Sequence, residues 1–233
     1  MIIEDFSRLL NTVTYWLSYQ EKAGRQFMIE ESSIRYPVAD YLSGLGVRLN
    51  DIHLEYPHPI LSRRHIDLVI TNATGDVIQS AVEFKIAKVE TKRQAEQKRV
   101  FYDLIRLYIV AQFFEAKGYF MMLGRQTEFV QNFRSIQPKP PLGLTKEEQQ
   151  IPSPEGFYTK WFSFKVGDRK EFDVITSLPI YGEIYGSFLE EYQPKEGYSL
   201  SLPSKVATKC LAISSISREY STPYVGGIWE VIP

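Results

Sequence analysis

The sequence predicts an α/β fold in which a helix, three strands, a second helix and a fourth strand follow one another, with a mainly β region behind them. Three observations carry this. His65–Ile70 and Ala81–Ile86 both alternate like half-buried strands, on either side of the turn signal Thr71-Asn72-Ala73-Thr74-Gly75-Asp76. Apolar residues then recur at helical spacing from about Thr91 to Lys117. Last, Tyr119–Leu123 is a short apolar run with no polar alternation, the pattern of a strand covered on both faces.

In chain order, Phe6, Leu9, Leu10, Val13, Trp16 and Leu17 form a helical stripe over 3–19 that Gly24 ends. A second helix opens near Ile29-Glu30-Glu31-Ser32 and runs to Gly44 or Gly46, with Ile34, Val38, Leu42 and Leu45 on one stripe. Pro37 must then sit near its first turn or kink it. Glu30 and Glu31 at a helix start complement the helix dipole whatever else they do. Ile52–Tyr56 alternates and stops at Pro57 and Pro59, a first strand.

In the hairpin, Asp67 shares a face with His65 and Val69, opposite Ile66, Leu68 and Ile70, while Glu83 and Lys85 share one with Ala81, opposite Val82, Phe84 and Ile86. A suitable register brings Asp67 beside Glu83. In the long helix Val100, Leu104, Leu107 and Val110 or Ala111 mark the buried side, widened by Phe101, Ile105 and Tyr108, and Gly118 is its expected stop. Residues 137–156, rich in Pro and Gly, read as a loop or linker. Beyond them Trp161–Val166 and Glu171–Ile175 flank Gly167-Asp168 like a hairpin, Tyr181–Tyr192 reads as a short helix, and Val206–Ile216 and Gly227–Ile232 as closing strands. The domain reading is a core with an extra N-terminal helix over 1–136, a Pro-rich loop over 137–156 and a β-rich extension packed on the core over 157–233.

The 233 residues, 44% hydrophobic and 24% charged, have ordinary globular composition and can bury a sizeable core. A net charge of -1 gives no global attraction for a polyanion, but Lys85, Lys88, Lys92, Arg93, Lys98 and Arg99 cluster locally against only Glu90 and Glu96. The lone Cys210, in an apolar alternating run, reads as a buried structural thiol. No stretch is long and apolar enough to span a bilayer and no signal peptide is recognisable, so no membrane partner and a cytoplasmic location are expected.

Glu-x-Lys recurs at Glu83/Lys85, Glu90/Lys92, Glu96/Lys98 and Glu115/Lys117, but only the first lies in an alternating strand and follows, by 16 residues, an aspartate in another such strand. Two carboxylates and an amine on one strand face call for a bound group, and a hard divalent cation suits them. The bland alternative is a salt-bridged solvent face with Asp67 as cross-strand partner. His53, His58 and His65 form no zinc-ligand pattern, and Asp103 and Arg106 read as an intrahelical pair.

Ile66-Asp67-Leu68, Glu83-Phe84-Lys85 and the element order over 29–123 resemble the PD-(D/E)XK, or restriction-endonuclease-like, nuclease superfamily. The resemblance implies an αβββαβ core whose mixed central sheet is flanked by helices. It implies a Mg²⁺-dependent nuclease, Mn²⁺ being an alternative, with Asp67, Glu83, Lys85 and Glu31 catalytic. Asp67, Glu83 and the Phe84 carbonyl would hold the metal, and Glu31, with Glu30 in reserve, would touch it directly or through water. Lys85 would orient the attacking water. Arg63, Arg64, Lys88 and Gln97 (or Gln94) would contact nucleic acid, DNA by the superfamily's habit. An inactive nuclease-fold binding module is the alternative function, and a non-nuclease hydrolase on the same site a third. A homodimer or a protein partner through the C-terminal region stays open.

Overall fold

A computed structural model describes residues 5–87, 93–133, 161–174, 187–188, 190–200, 202–214 and 224–233, with the side chains of 93–97 and 130–133 excepted. Its centre is one seven-stranded mixed sheet with helices on both faces. The strands are β1 (Ile52–Pro57), β2 (His65–Thr71), β3 (Ile78–Ile86), β4 (Lys117–Arg125), β5 (Arg169–Asp173), β6 (Lys205–Ile213) and β7 (Tyr224–Ile232), in the order β1-β2-β3-β4-β7-β6-β5. Only β3 and β4 run parallel, because helix α3 (Arg93–Phe114) connects them; the other neighbours are antiparallel. The β-rich region after residue 157 therefore continues the core sheet edge to edge, with β7 pairing along β4 from Gly118 to Arg125.

Helices α1 (Phe6–Lys22) and α2 (Glu31–Gly44) cover one face. Asp5 caps α1 by accepting from Arg8 N–H at 2.8 Å, and Leu9, Leu10, Val13 and Leu17 pack with Ile34, Val38 and Leu42 of α2 onto Leu68, Ile70, Val82, Phe84 and Ile86. Leu45 does not join the α2 stripe: it caps the helix end and is exposed. Pro37 lies in the second turn, buried against the sheet, where it leaves the Ser33 carbonyl without its helical donor.

The other face is covered by α3, whose Val100, Phe101, Leu104, Ile105, Leu107, Tyr108 and Val110 are all buried. It is apolar nearly all round because C-terminal segments clasp its far side: the Phe101 ring lies 5.7 Å from Trp161 and that of Tyr102 5.2 Å from Phe188. The helix stops at Phe114, where Glu115 takes a left-handed φ of 53°; Gly118 is not its stop. Gly118 belongs to β4, and a Cβ there would stand 3.2 Å from the Leu107 carbonyl oxygen, so glycine is what lets α3 lie close on the strand. A short helix α4 (Gln126–Phe133) follows β4, which is buried from Gly118 to Gly124 as its unbroken apolar run predicts. Among the described residues no helix is long and apolar enough to cross a membrane.

Two further expectations change. Trp161–Val166 is not a strand, and β5 pairs with β6 instead of folding back on it; Gly167 N–H donates to the Cys210 carbonyl and Cys210 N–H to the Asp168 carbonyl. Ile66 packs with Val69 on the α3 side, whereas Leu68 and Ile70 face α2, so strict alternation breaks at Asp67, beyond the last ladder pair Leu68/Val82. Of the expected 181–192 helix, 187–188 and 190–192 are described: 187–188 and 190–191 are helical and Tyr192 is not; the 137–156 loop lies outside the described residues. Cys210 is buried, and burial pushes its thiol up to about 11.

The connection from β1 to β2 is fixed by His58, fully buried, whose Nδ1 accepts from Ile60 N–H at 3.2 Å and Leu61 N–H at 3.0 Å. Desolvation pushes the imidazole from 6.5 to about 3, so folding holds it neutral. A folded pKa below the unfolded one gives stability that is complete above 6.5 and drains away as the pH falls toward 3. His58→Ala is expected to cost about 2 kcal/mol at neutral pH, by stranding two buried donors, and to flatten the acid limb of the stability curve. Urea unfolding at a series of pH values reads both effects.

Candidate active site

The β2–β3 ladder is the frame of the site. Its pairs Leu68/Val82, Val69/Ala81 and Ile70/Ser80 continue by one step to set Asp67 opposite Glu83. Past that point β2 stays paired with β1 but its ladder to β3 ends, so the N–H groups of Phe84 and Ile86 on that side of β3 have no strand partner. Side chains take them: Phe84 N–H donates to Asp67 Oδ2 at 2.8 Å and Ile86 N–H to Glu31 Oε1 at 3.5 Å. Two carboxylates are thus anchored on the backbone flanking Lys85, one from β2 and one from the first turn of α2.

Glu31, Asp67, Glu83 and Lys85 line one cleft of about 350 Å³, together with Arg63 and Arg64. The solvent-face alternative fails on burial, since Glu83 is only 2% and Lys85 only 4% exposed. Period-two alternation shows which side a residue takes; it does not show that α3 covers that side. Each carboxylate meets a cation. Lys85 Nζ lies 3.0 Å from Glu31 Oε1, Arg35 Nη2 2.6 Å from Asp67 Oδ1, and Arg106 Nη2 3.0 Å from Glu83 Oε2.

Arg106 is the hub of the far wall. Besides Glu83 it binds Asp103 at 2.6 Å, the intrahelical pair expected from the sequence, and it donates to the His65 carbonyl at 3.1 Å, which ties α3 to the start of β2. Burial pushes the Glu83 carboxyl well above the carboxylate range; Arg106 opposes this, and the Asp67 and Asp103 charges add to it. Burial likewise pushes Asp103 up to about 6 against the pull of Arg106. Desolvation thus outweighs the mutual repulsion of the carboxylates as the cause. Glu83 keeps one buried oxygen, Oε1, with no hydrogen-bond partner among the described residues.

On the opposite wall Arg35 also pairs with Glu55, which holds a left-handed φ of 51° inside β1, a conformation costing a non-glycine residue roughly 1 kcal/mol or more. Arg63 is left-handed too (φ 55°). Arg64 is seated on the Tyr192 ring at 4.2 Å and donates to the Glu191 carbonyl at 3.1 Å. Lys88 lies outside the described residues, and the side chains of Gln94 and Gln97 are likewise not described.

Whether these donors suit a divalent cation turns on how many converge. Among the described residues no group of three or more His, Cys, Asp or Glu is gathered so as to hold a metal ion, Glu31 being drawn onto Lys85. What remains, the Asp67–Glu83 pair with a buried oxygen that has no partner among the described residues, and the carbonyl of Phe84 next to Glu83 in sequence, is an all-oxygen set. It fits a small hard cation that keeps several of its own waters. Sequence reasoning did not find Arg35 or Arg106 as parts of the site. The available signal was two charged residues, Asp103 and Arg106, inside a helix apolar on nearly every side. Compared with protein-family models, with curated proteins and with solved structures, the chain gives no match.

Proposed function

We propose that the cleft is the active centre of a divalent-metal-dependent phosphodiester hydrolase, a nuclease acting on DNA, on a restriction-endonuclease-like core. One observation carries the reading: Asp67, Glu83 and Lys85 meet in a single cleft in which Glu83 keeps a buried oxygen with no hydrogen-bond partner among the described residues. Mg²⁺ or Mn²⁺ bound there supplies Lewis acidity toward a phosphate oxygen and a water. Asp67 and Glu83 would hold it, with the Phe84 carbonyl.

The chain's own residues supply the rest. Lys85 Nζ, held by Glu31, lines the cleft, where it positions the attacking water and stabilises charge developing on the phosphoryl oxygens. Glu31 acts by orienting the amine. The water oxygen bonds to phosphorus as the water gives up a proton to solvent, the P–O ester bond breaks, and the departing oxygen takes up a proton from water. Arg63 and Arg64 at the rim take the flanking phosphates. Because Arg64 is already held by Tyr192 and Glu191, little order is lost when a phosphate binds. Arg64→Ala is therefore expected to weaken DNA binding evenly across sequences and to reduce the slope of log K against log salt by about 1, read by fluorescence anisotropy at several salt concentrations.

The reading is tested by incubating supercoiled plasmid with Mg²⁺ or Mn²⁺ and the wild type, Glu83→Ala or Lys85→Ala. Nicking by the wild type alone supports it. Equal nicking by all three assigns the activity elsewhere, and no nicking by a folded, DNA-binding wild type favours the inactive binding module.

A further inference from the structure

Arg35 is placed unlike the other cations of the cleft. It stands one helical turn after Glu31 on α2 and forks between two carboxylates, Nη1 on Glu55 and Nη2 on Asp67 Oδ1 at 2.6 Å. Its Nε is buried with no hydrogen-bond partner among the described residues. Both Asp67 oxygens are already engaged: Oδ2 accepts from the Phe84 N–H and Oδ1 from Arg35 Nη2. Glu83 Oε1, by contrast, is buried with no hydrogen-bond partner among the described residues. A cation entering between these carboxylates finds Glu83 ready but must compete with a guanidinium for Asp67.

The two ends of the fork also differ. Asp67 is largely enclosed, its side chain 18% exposed, whereas Glu55 is 55% exposed and is turned toward Arg35 by the left-handed backbone inside β1. A strained residue is retained where its direction matters. Glu55 gives Arg35 a second anchor that survives the loss of Asp67.

We propose that Arg35 is a shuttling counter-ion: it occupies Asp67 while no divalent cation is bound, and when one takes Asp67 it stays on Glu55 and turns its freed Nη2 to the substrate phosphate. This rests on the metal-dependent reading above. The arrangement keeps Asp67 from facing Glu83 uncompensated, and it delivers a planar donor to the phosphate as the metal site fills. Glu55 does not touch substrate; it is a positioning residue acting through Arg35.

The test is calorimetric titration of Mn²⁺ into the full chain without DNA, for wild type, Arg35→Met, Glu55→Gln and the double variant. Arg35→Met is expected to bind Mn²⁺ about tenfold more tightly, the competitor for Asp67 being gone. Glu55→Gln, a change at an exposed side chain that leaves the packed core untouched, is expected to bind about threefold more weakly, since Arg35 then rests on Asp67 alone. In the double variant the Glu55→Gln effect should fall to about twofold or less. At saturating Mn²⁺, Arg35→Met should cut DNA about tenfold more slowly, having lost a phosphate contact.

Mn²⁺ binding by wild type with equal or weaker binding by Arg35→Met overturns the shuttle and leaves the metal-dependent reading standing. The shuttle falls in the same way if Glu55→Gln acts equally with and without Arg35. Absence of Mn²⁺ binding from the wild type and every variant removes both.

Discussion

Replacing Lys85 with methionine is expected to lower DNA cleavage by at least about 10²-fold while leaving Mn²⁺ binding within a few-fold of wild type. The carboxylate that holds the amine is Glu31, at 3.0 Å, whereas Asp67 and Glu83 are paired with Arg35 and Arg106. Removing the amine takes away a donor lining the cleft and leaves the two carboxylates in place. Methionine keeps the length of the stem in a site only 4% exposed, so a packing defect does not mimic the effect. Glu83→Gln should lose cleavage and Mn²⁺ binding together. The contrast, read by plasmid nicking beside calorimetry, separates the group that acts on the water from the group that holds the cation. Equal loss of binding in both variants would instead make Lys85 a structural partner of the carboxylate pair.

The second large effect is on folding. Arg106→Met is expected to destabilise the protein by roughly 3–5 kcal/mol, because truncating one member of a buried ion network leaves the others uncompensated. Two carboxylates depend on this guanidinium: Glu83 at 3.0 Å and Asp103 at 2.6 Å, with the His65 carbonyl as a third acceptor. Burial already pushes both carboxyls upward, so without Arg106 they would protonate or draw in water. Arg106→Lys should recover only part of the loss, since one ammonium cannot reproduce the fork. Urea unfolding of the two variants checks the order wild type, Arg106→Lys, Arg106→Met.

Much of the architecture was legible because its signals are local. The β2–β3 hairpin is announced by alternation and by the Asn72–Asp76 turn, where Asn72 N–H donates to the Val77 carbonyl at 2.9 Å and Gly75 takes φ 78°. That hairpin alone sets Asp67 opposite Glu83. What stayed hidden depends on partners distant in the chain. Trp161–Val166 has strand-like composition, but the strand that pairs with β5 begins more than thirty residues later, at Lys205. Gly118 has the look of a helix terminator, and only the approach of β4 to Leu107 shows that it is a packing glycine.

The site divides the same way. Asp67, Glu83 and Lys85 share a cleft as the strand pattern implies, because each sits on a regular element with a fixed side-chain direction, and Glu31 lines it as only the family resemblance implied. Arg35 and Arg106 are not legible as site residues because a helical arginine three residues from an aspartate, or on a polar flank, ordinarily belongs to a solvated face. Only the layering of α2 and α3 against the sheet turns those two side chains onto β2 and β3. The charge balance of the cleft is therefore a tertiary property, and it determines how a divalent cation would enter.

Anomalous scattering from Mn²⁺ in crystals of the wild-type protein decides whether the cleft is a metal centre. A peak is expected within about 2.0–2.6 Å of Glu83 Oε1 and of an Asp67 oxygen, with Arg35 displaced from Asp67. Saturating Mn²⁺ that leaves this position empty, or that binds only away from the two carboxylates, would contradict it.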